Sequence, residues 1–177
     1  MTENGHGITA EVLVCRDLTP AATAECWGHV LRPIALERDA DAVADLAAVV
    51  ARTVRKTRPQ PTAAGLMAEL RGRPDRQVSC WLAWAISPAG KTGTAGPSGL
   101  VTLVESRGRT GAARFSISWL IVRPDARRQG LGRALVAAAV SRARSAGADV
   151  VWTETSRDWP AAEFWRAVGF VPSRPAG

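Results

Sequence analysis

Apolar positions along the chain recur with two different periods, and the changes between them mark the elements. Residues 1–28 carry no strong period, although Val12 to Cys15 reads as a short strand and Thr19-Pro20 opens a short helix through Cys26. Val30 to Leu36 reads as a strand. Asp39 and Asp41 then place negative charge in the first turn of a helix whose apolar face is Val43, Leu46, Val50 and Val54. Pro59 and Pro61 break that helix inside a basic connection of Arg52, Arg55, Lys56 and Arg58, and Thr62 caps a second helix built on Leu66, Met67 and Leu70.

Beyond residue 77 the period shortens to two. Val78 to Ile86 and Gly99 to Glu105 are apolar runs of strand length, expected to pair as a hairpin across SPAGKTGTAGPS, which its Gly, Pro and Ser content assigns to a loop. Ala113 to Val122 is a third strand, with Ser116, Ser118, Leu120 and Val122 on one face and Phe115, Ile117, Trp119 and Ile121 on the other; Pro124 ends it. A helix over Gly132 to Ser145 shows a Leu135, Val136, Ala139, Val140, Ala143 stripe and stops at Gly147. Val150 to Thr155 is a strand. Pro160 opens a last helix that packs Ala161, Phe164, Trp165 and Val168 and ends at Gly169, and Phe170 to Pro172 is a short final strand. This order is that of an α/β domain with a mixed sheet and no internal repeat. Trp81, Trp84, Trp119, Trp152 and Trp159 read as core by strand periodicity, with the wall of an acceptor pocket as the alternative.

Composition narrows the classes. A chain of 177 residues, 46% apolar and 22% charged, fits one globular core. Its start lacks a basic segment followed by an apolar one, and no uncharged apolar run reaches the roughly 18 residues needed to span a bilayer, so a soluble cytoplasmic protein is expected. Cys15, Cys26 and Cys80 match neither a disulfide framework nor a zinc pattern, and His6 and His29 are the only histidines; reduced thiols and no metal are expected. The net charge of +7 is unevenly spread: residues 1–60 carry −1, 61–105 carry +1, 106–146 carry +8 and 147–177 carry −1. An anion is therefore expected near residues 106–146. Nucleic acid is disfavoured, because the basic residues gather at a Gly turn and lack an aromatic-interleaved stripe.

That turn is Gly130-Leu131-Gly132, between the end of a strand and the start of a helix, where unpaired amides and the positive helix end face outward. With Arg123, Arg127, Arg128 and Arg133 around it, the site suits a phosphate or pyrophosphate. A dinucleotide fingerprint fails, since Leu135 stands where a third small residue is required. Ala85 to Thr92 (AISPAGKT) carries the Gly-Lys-Thr of a phosphate loop, yet the following GTAGPSG cannot start the helix that such a loop needs.

RPDARRQGLGRAL (Arg123 to Leu135) resembles the acetyl-CoA-binding motif of the GNAT N-acetyltransferase superfamily, R/Q-x-x-G-x-G/A, with Arg127, Gly130 and Gly132 on its fixed positions. The preceding SISWLIV resembles that family's fourth strand, and DWPAAEFWRAVGF (Asp158 to Phe170) resembles its closing motif, matching at Ala161, Gly169 and Phe170. The likeness covers about residues 29–172 and leaves the first 28 outside as a leader. It implies a single-domain α/β fold with a mixed, mostly antiparallel sheet of about six to seven strands flanked by about four helices. It also implies acetyl-CoA as cosubstrate in a gap between the fourth and fifth strands. The pantetheine arm then runs along Leu120, Ile121 and Val122, the amides of Arg128, Gln129, Gly130, Leu131, Gly132 and Arg133 hold the pyrophosphate, and Arg127 completes the motif. The acetyl group passes directly to the amine of a small molecule or peptide, with a homodimer left open.

Direct transfer needs a neutral amine and profits from a proton for the departing thiolate. The family's closing-motif Tyr is here Trp165, in a chain without any Tyr, so Trp165 reads as packing with a wall role beside the thioester. The strand carboxylates of many relatives are here Ser116 and Ser118. Candidate bases are Glu154 first, then Asp158 and Glu105, with water relays through Ser116 or Ser118 as a further route. If no group serves, the alternative is a GNAT-like module that senses acyl-CoA without turnover.

Overall fold

The computed structural model describes residues 10–18, 28–53, 62–86, 92–107, 111–157 and 160–173. Among them, the strands are β1 (Ala10–Cys15), β2 (His29–Pro33), β3 (Arg76–Ile86), β4 (Thr92–Arg107), β5 (Ala113–Val122), β6 (Val151–Ser156) and β7 (Val171–Pro172). The helices are α1 (Leu36–Thr53), α2 (Ala63–Leu70), α3 (Leu131–Ser145) and α4 (Pro160–Ala167), and a single 3-10 turn spans Pro124–Ala126. The sheet order is β2-β3-β4-β5-β6-β1-β7, antiparallel throughout except for the parallel pair β5 and β6. The strand at 10–15 thus lies inside the sheet, between β6 and β7. The helix expected from Thr19-Pro20 to Cys26 and the basic residues Arg55, Lys56 and Arg58 fall outside the described residues.

The sheet is sandwiched between two apolar layers. On one face α3, α4 and Phe170 just beyond α4 cover Leu13, Leu103, Phe115, Ile117 and Val151, the helices with Leu131, Leu135, Ala139 and Trp165; on the other α1 and α2 cover Leu82, Leu100 and Ile121 with Val43, Leu46, Leu66 and Leu70. Leu13, Leu46, Leu82, Leu100 and Leu135 are completely buried, each contributing about 1.5–3 kcal/mol from removal of its surface from water. The α3 stripe and the Thr62 cap stand as the sequence predicts, Thr62 Oγ1 accepting from the Gly65 amide at 3.0 Å.

Three expectations change. The strand expected over Val30 to Leu36 stops at Pro33, and α1 begins at Leu36 with the Asp39 amide bonded to the Ala35 carbonyl at 2.8 Å. Asp39 stands in the first turn as the sequence predicts and is buried there: its Oδ2 accepts from the Ala35 amide and its two oxygens receive Arg32. Second, strand structure continues through Thr92 to Ser98, where the Gly, Pro and Ser content predicts a loop, because Thr92 pairs with Ile86 and Pro97 with Trp84. Third, β5 does not alternate regularly. Thr102 pairs with Trp119 and Leu103 with Ile117, so Ser118 is an extra residue, a bulge. The bulge reverses the alternation after it: Leu120 and Val122 join Phe115 and Ile117 on the α3 side, and Trp119 and Ile121 pack under α1 and α2.

Candidate active site

The bulge sits where two parallel strands part. β5 and β6 pair only over Phe115–Ile117 and Val151–Thr153, closed by the Thr153 hydroxyl donating to the Ile117 carbonyl at 2.9 Å. Beyond this point β5 runs on to Val122 and β6 to Ser156 with no further pairing between them. The amide of Trp119 turns toward β4, donating to Thr102 Oγ1 at 2.9 Å, and the amide of Arg123 donates to the Ser98 carbonyl at 2.9 Å. Because direction alternates along a strand, Leu120 and Val122 turn their backbone polar groups into the gap and Ile121 turns its own toward β4. The Val122 carbonyl accepts from Arg127 Nε at 3.1 Å.

The free edge leads to the start of α3. Arg128 has φ 65° and Gly130 φ 80°, so the chain passes through two left-handed residues before the helix. The first intrahelical bond is Ala134 amide to Gly130 carbonyl at 3.1 Å, which leaves the amides of Leu131, Gly132 and Arg133 without helical acceptors. No side chain caps this end and no acid stands in the first turn, so the donors and the positive end of the helix are open to an anion. Gly132 serves packing: a Cβ there would lie 3.1 Å from Phe164 Cε2. Gln129 donates to the Asp125 carbonyl at 3.1 Å, bracing the turn from below.

The four arginines of this region are not equivalent. Arg123 is paired with Asp45 of α1 at 2.8 Å and approaches Asp125 at 3.5 Å, so its charge ties β5 to α1. Arg127 supports the Val122 carbonyl. Arg128 and Arg133 are exposed and form no ion pair with a described residue.

The residues considered for catalysis are dispersed. Glu154 is exposed on β6, opposite Val12, with no described hydrogen bond. Asp158 lies outside the described residues, Ser116 is buried, and Glu105 pairs loosely with Arg107 at 3.7 Å. Trp165 is 6% exposed, with edge-on contacts to Phe164 and Phe170 at 5.4 and 5.0 Å. Ser118 stands at the fork, and with it a group that the sequence reading passed over. Glu69 of α2 accepts from Ser118 Oγ at 2.5 Å and from Trp119 Nε1 at 2.8 Å, and meets Arg76 at 3.3 Å. No cluster of possible metal ligands occurs among the described residues, and no described helix is long and apolar enough to cross a membrane.

The sequence profile described as the Acetyltransferase (GNAT) family matches residues 52–170. No curated protein sequence matches the chain. A GCN5-related N-acetyltransferase from Sphaerobacter thermophilus superposes with a TM-score of 0.64 at 17% identity, over 93% of this chain and 48% of that one. A tandem GNAT protein from the clavulanic acid biosynthesis pathway gives 0.64 at 20% identity, over 92% and 50%. An aminoglycoside acetyltransferase from an uncultured soil metagenomic sample, in complex with trehalose, gives 0.63 at 17% identity, over 85% and 93%. The chain therefore spans about half the length of the first two structures and nearly all of the third.

Proposed function

The chain belongs to the GNAT acetyltransferase family, and from that premise we propose that it transfers an acetyl group from acetyl-CoA directly to a primary amine of a small molecule or peptide. One observation carries the reading: the unpaired β5 edge at Leu120 and Val122 runs from the fork at Ile117 to the open amides of Leu131, Gly132 and Arg133. An extended amide-containing arm fits such an edge, and a pyrophosphate fits such a helix start. Arg128 and Arg133 supply charge beside it. Among the described residues, Cys15 and Cys80 are buried free thiols, which suits a reducing setting.

A second reading, acyl-CoA sensing without turnover, is favoured by one feature. At the closing-motif position of the usual tyrosine proton donor stands Trp165, packed into the core, and the chain contains no Tyr. Two measurements separate the readings. Acetyl-CoA at about 100 times its Kd adds about 2.7 kcal/mol to stability and raises Tm by roughly 5–10 °C. Thiol release with an amine panel then distinguishes enzyme from sensor. A missing Tm shift overturns both readings. In Gly130→Glu the shift is expected to vanish, because the new side chain brings negative charge to the helix start. A Cβ at Gly130 meets nothing within 4 Å, so the variant folds with only the local strain of φ 80°.

A further inference from the structure

The bulge in β5 holds a network whose direction can be worked out from its donors. Glu69, as a carboxylate, only accepts, so the single Ser118 hydroxyl proton points to Glu69 Oε1 at 2.5 Å. The 2.7 Å contact between Thr102 Oγ1 and Ser118 Oγ must then be donated by Thr102, whose own oxygen accepts the Trp119 amide at 2.9 Å. Ser118 Oγ is left with one open lone pair. Its side chain is exposed, and it stands at the fork where β5 leaves β6, the point at which an acceptor amine would meet a thioester lying along Leu120. Trp119 Nε1 fixes Glu69 Oε2 at 2.8 Å, so the carboxylate is held toward Ser118 from both sides. Arg76 of β3, at 3.3 Å, is the charged group that meets Glu69 among the described residues; β5 presents the Ser118 hydroxyl and the Trp119 indole to it, and the Thr102 hydroxyl of β4 reaches Ser118, not Glu69.

We propose that Ser118 and Glu69 form a proton relay for the acetyl transfer proposed above, on which this inference rests. As the amine nitrogen bonds to the thioester carbon, its proton passes to Ser118 Oγ and the original Ser118 proton passes to Glu69. When the carbon–sulfur bond breaks, the thiolate leaves with the electron pair and takes a proton back along the same path. The balance closes on an amide and a free thiol, with no tyrosine needed. Ser118 is the catalytic residue; Glu69, acting through it, is the positioning residue that receives its proton.

The test uses the full chain with acetyl-CoA and three probes: benzylamine, putrescine and a tripeptide with a free N-terminus. Glu69→Gln and Ser118→Ala are each expected to lower kcat by about 100-fold, with the KM for acetyl-CoA and its Tm shift unchanged. The acid limb of the kcat–pH profile is expected to flatten in Glu69→Gln and to return in Glu69→Asp. The double variant is expected to be no slower than either single one. Ser118→Ala removes one exposed hydroxyl and keeps the test valid if Glu69→Gln folds poorly. Wild-type kcat and pH profile in Ser118→Ala overturn the relay, as does a Glu69→Gln variant that loses only Tm and keeps the acid limb. A wild type that binds acetyl-CoA but acetylates none of the probes also overturns it. Loss of acetyl-CoA binding by the wild type itself would instead remove the functional reading beneath it.

Discussion

Arg32 grips Asp39 with both terminal nitrogens at 2.7 Å and lies 5.1 Å from the Trp84 ring centre, joining β2, α1 and β3 through one charge pair. The Arg32 hydrogen bonds hold the Asp39 carboxyl well below the usual carboxylate range; burial opposes this, and the Ala35 amide assists. A folded pKa below the unfolded value of about 3.9 means that the contribution is complete above about pH 4 and is lost as pH falls toward the folded value. Asp39→Asn is expected to cost about 2–3 kcal/mol at pH 7, below the full price of a broken buried pair because Arg32 is 30% exposed and can rehydrate. Urea midpoints should converge between wild type and variant on acidification from pH 4 to pH 2; a gap that stays constant would place the stabilisation elsewhere. Residues of this kind were half legible. Asp39 reads from the sequence as a helix acid, but its partner seven positions away on β2 leaves no periodic trace. Glu69 is harder still, since it meets Ser118 across 49 positions and has meaning only once α2 lies against the bulge. Glu154, ranked first from its place on a strand, is exposed opposite Val12, and strand position alone could not reveal that.

Whole elements were more legible than side chains, because amphipathic helices and alternating strands repeat a signal over many residues. The α3 stripe from Leu135 to Ala143 and the span of β5 from Ala113 to Val122 stand as read. The faces of β5 did not, since one inserted residue at Ser118 inverts the period and no residue type marks a bulge. The hairpin partner β4 carries its own constraint. Gly99 faces Val122 across the pair, and a Cβ on it would stand 2.8 Å from the Ile121 carbonyl oxygen and 3.1 Å from Leu135 Cδ1. A carbonyl in a ladder cannot swing aside as a side-chain tip can. Gly99→Ala is therefore expected to destabilise by about 1–3 kcal/mol, as overpacking of a fixed backbone does. The displacement should reach the Leu120–Val122 edge, so acetyl-CoA affinity should fall together with the urea midpoint. A loss of stability with unchanged affinity would show that the edge keeps its position independently of β4.

At the scale of the molecule, the charge of +7 looked like one ligand-directed patch because its excess falls in residues 106–146. Folding divides that stretch. Arg107 and Arg114 lie at the far end of the β4–β5 pair, opposite the Val122 end, and Arg142 and Arg144 lie in the last turn of α3. The nine helical steps from Arg133 to Arg142 span about 14 Å, beyond the Debye length of about 8 Å at physiological salt. Arg144 donates to the Leu18 carbonyl at 3.3 Å, and Arg123 is paired with Asp45. Near the α3 start, the exposed charges without a described ion pair are Arg127, Arg128 and Arg133, and Arg127 is held by the Val122 carbonyl, so local geometry and not the total should set anion affinity. Replacing Arg128 and Arg133 by Ala is expected to weaken acetyl-CoA binding by about tenfold and to flatten its salt dependence, since each contact is a screened, solvent-exposed one. Replacing Arg107 and Arg142 by Ala removes the same net charge and should change Kd by less than about twofold. Titration calorimetry of the two double variants at low and physiological salt decides the matter: equal losses in both would return the diffuse field of the whole chain as the source of affinity.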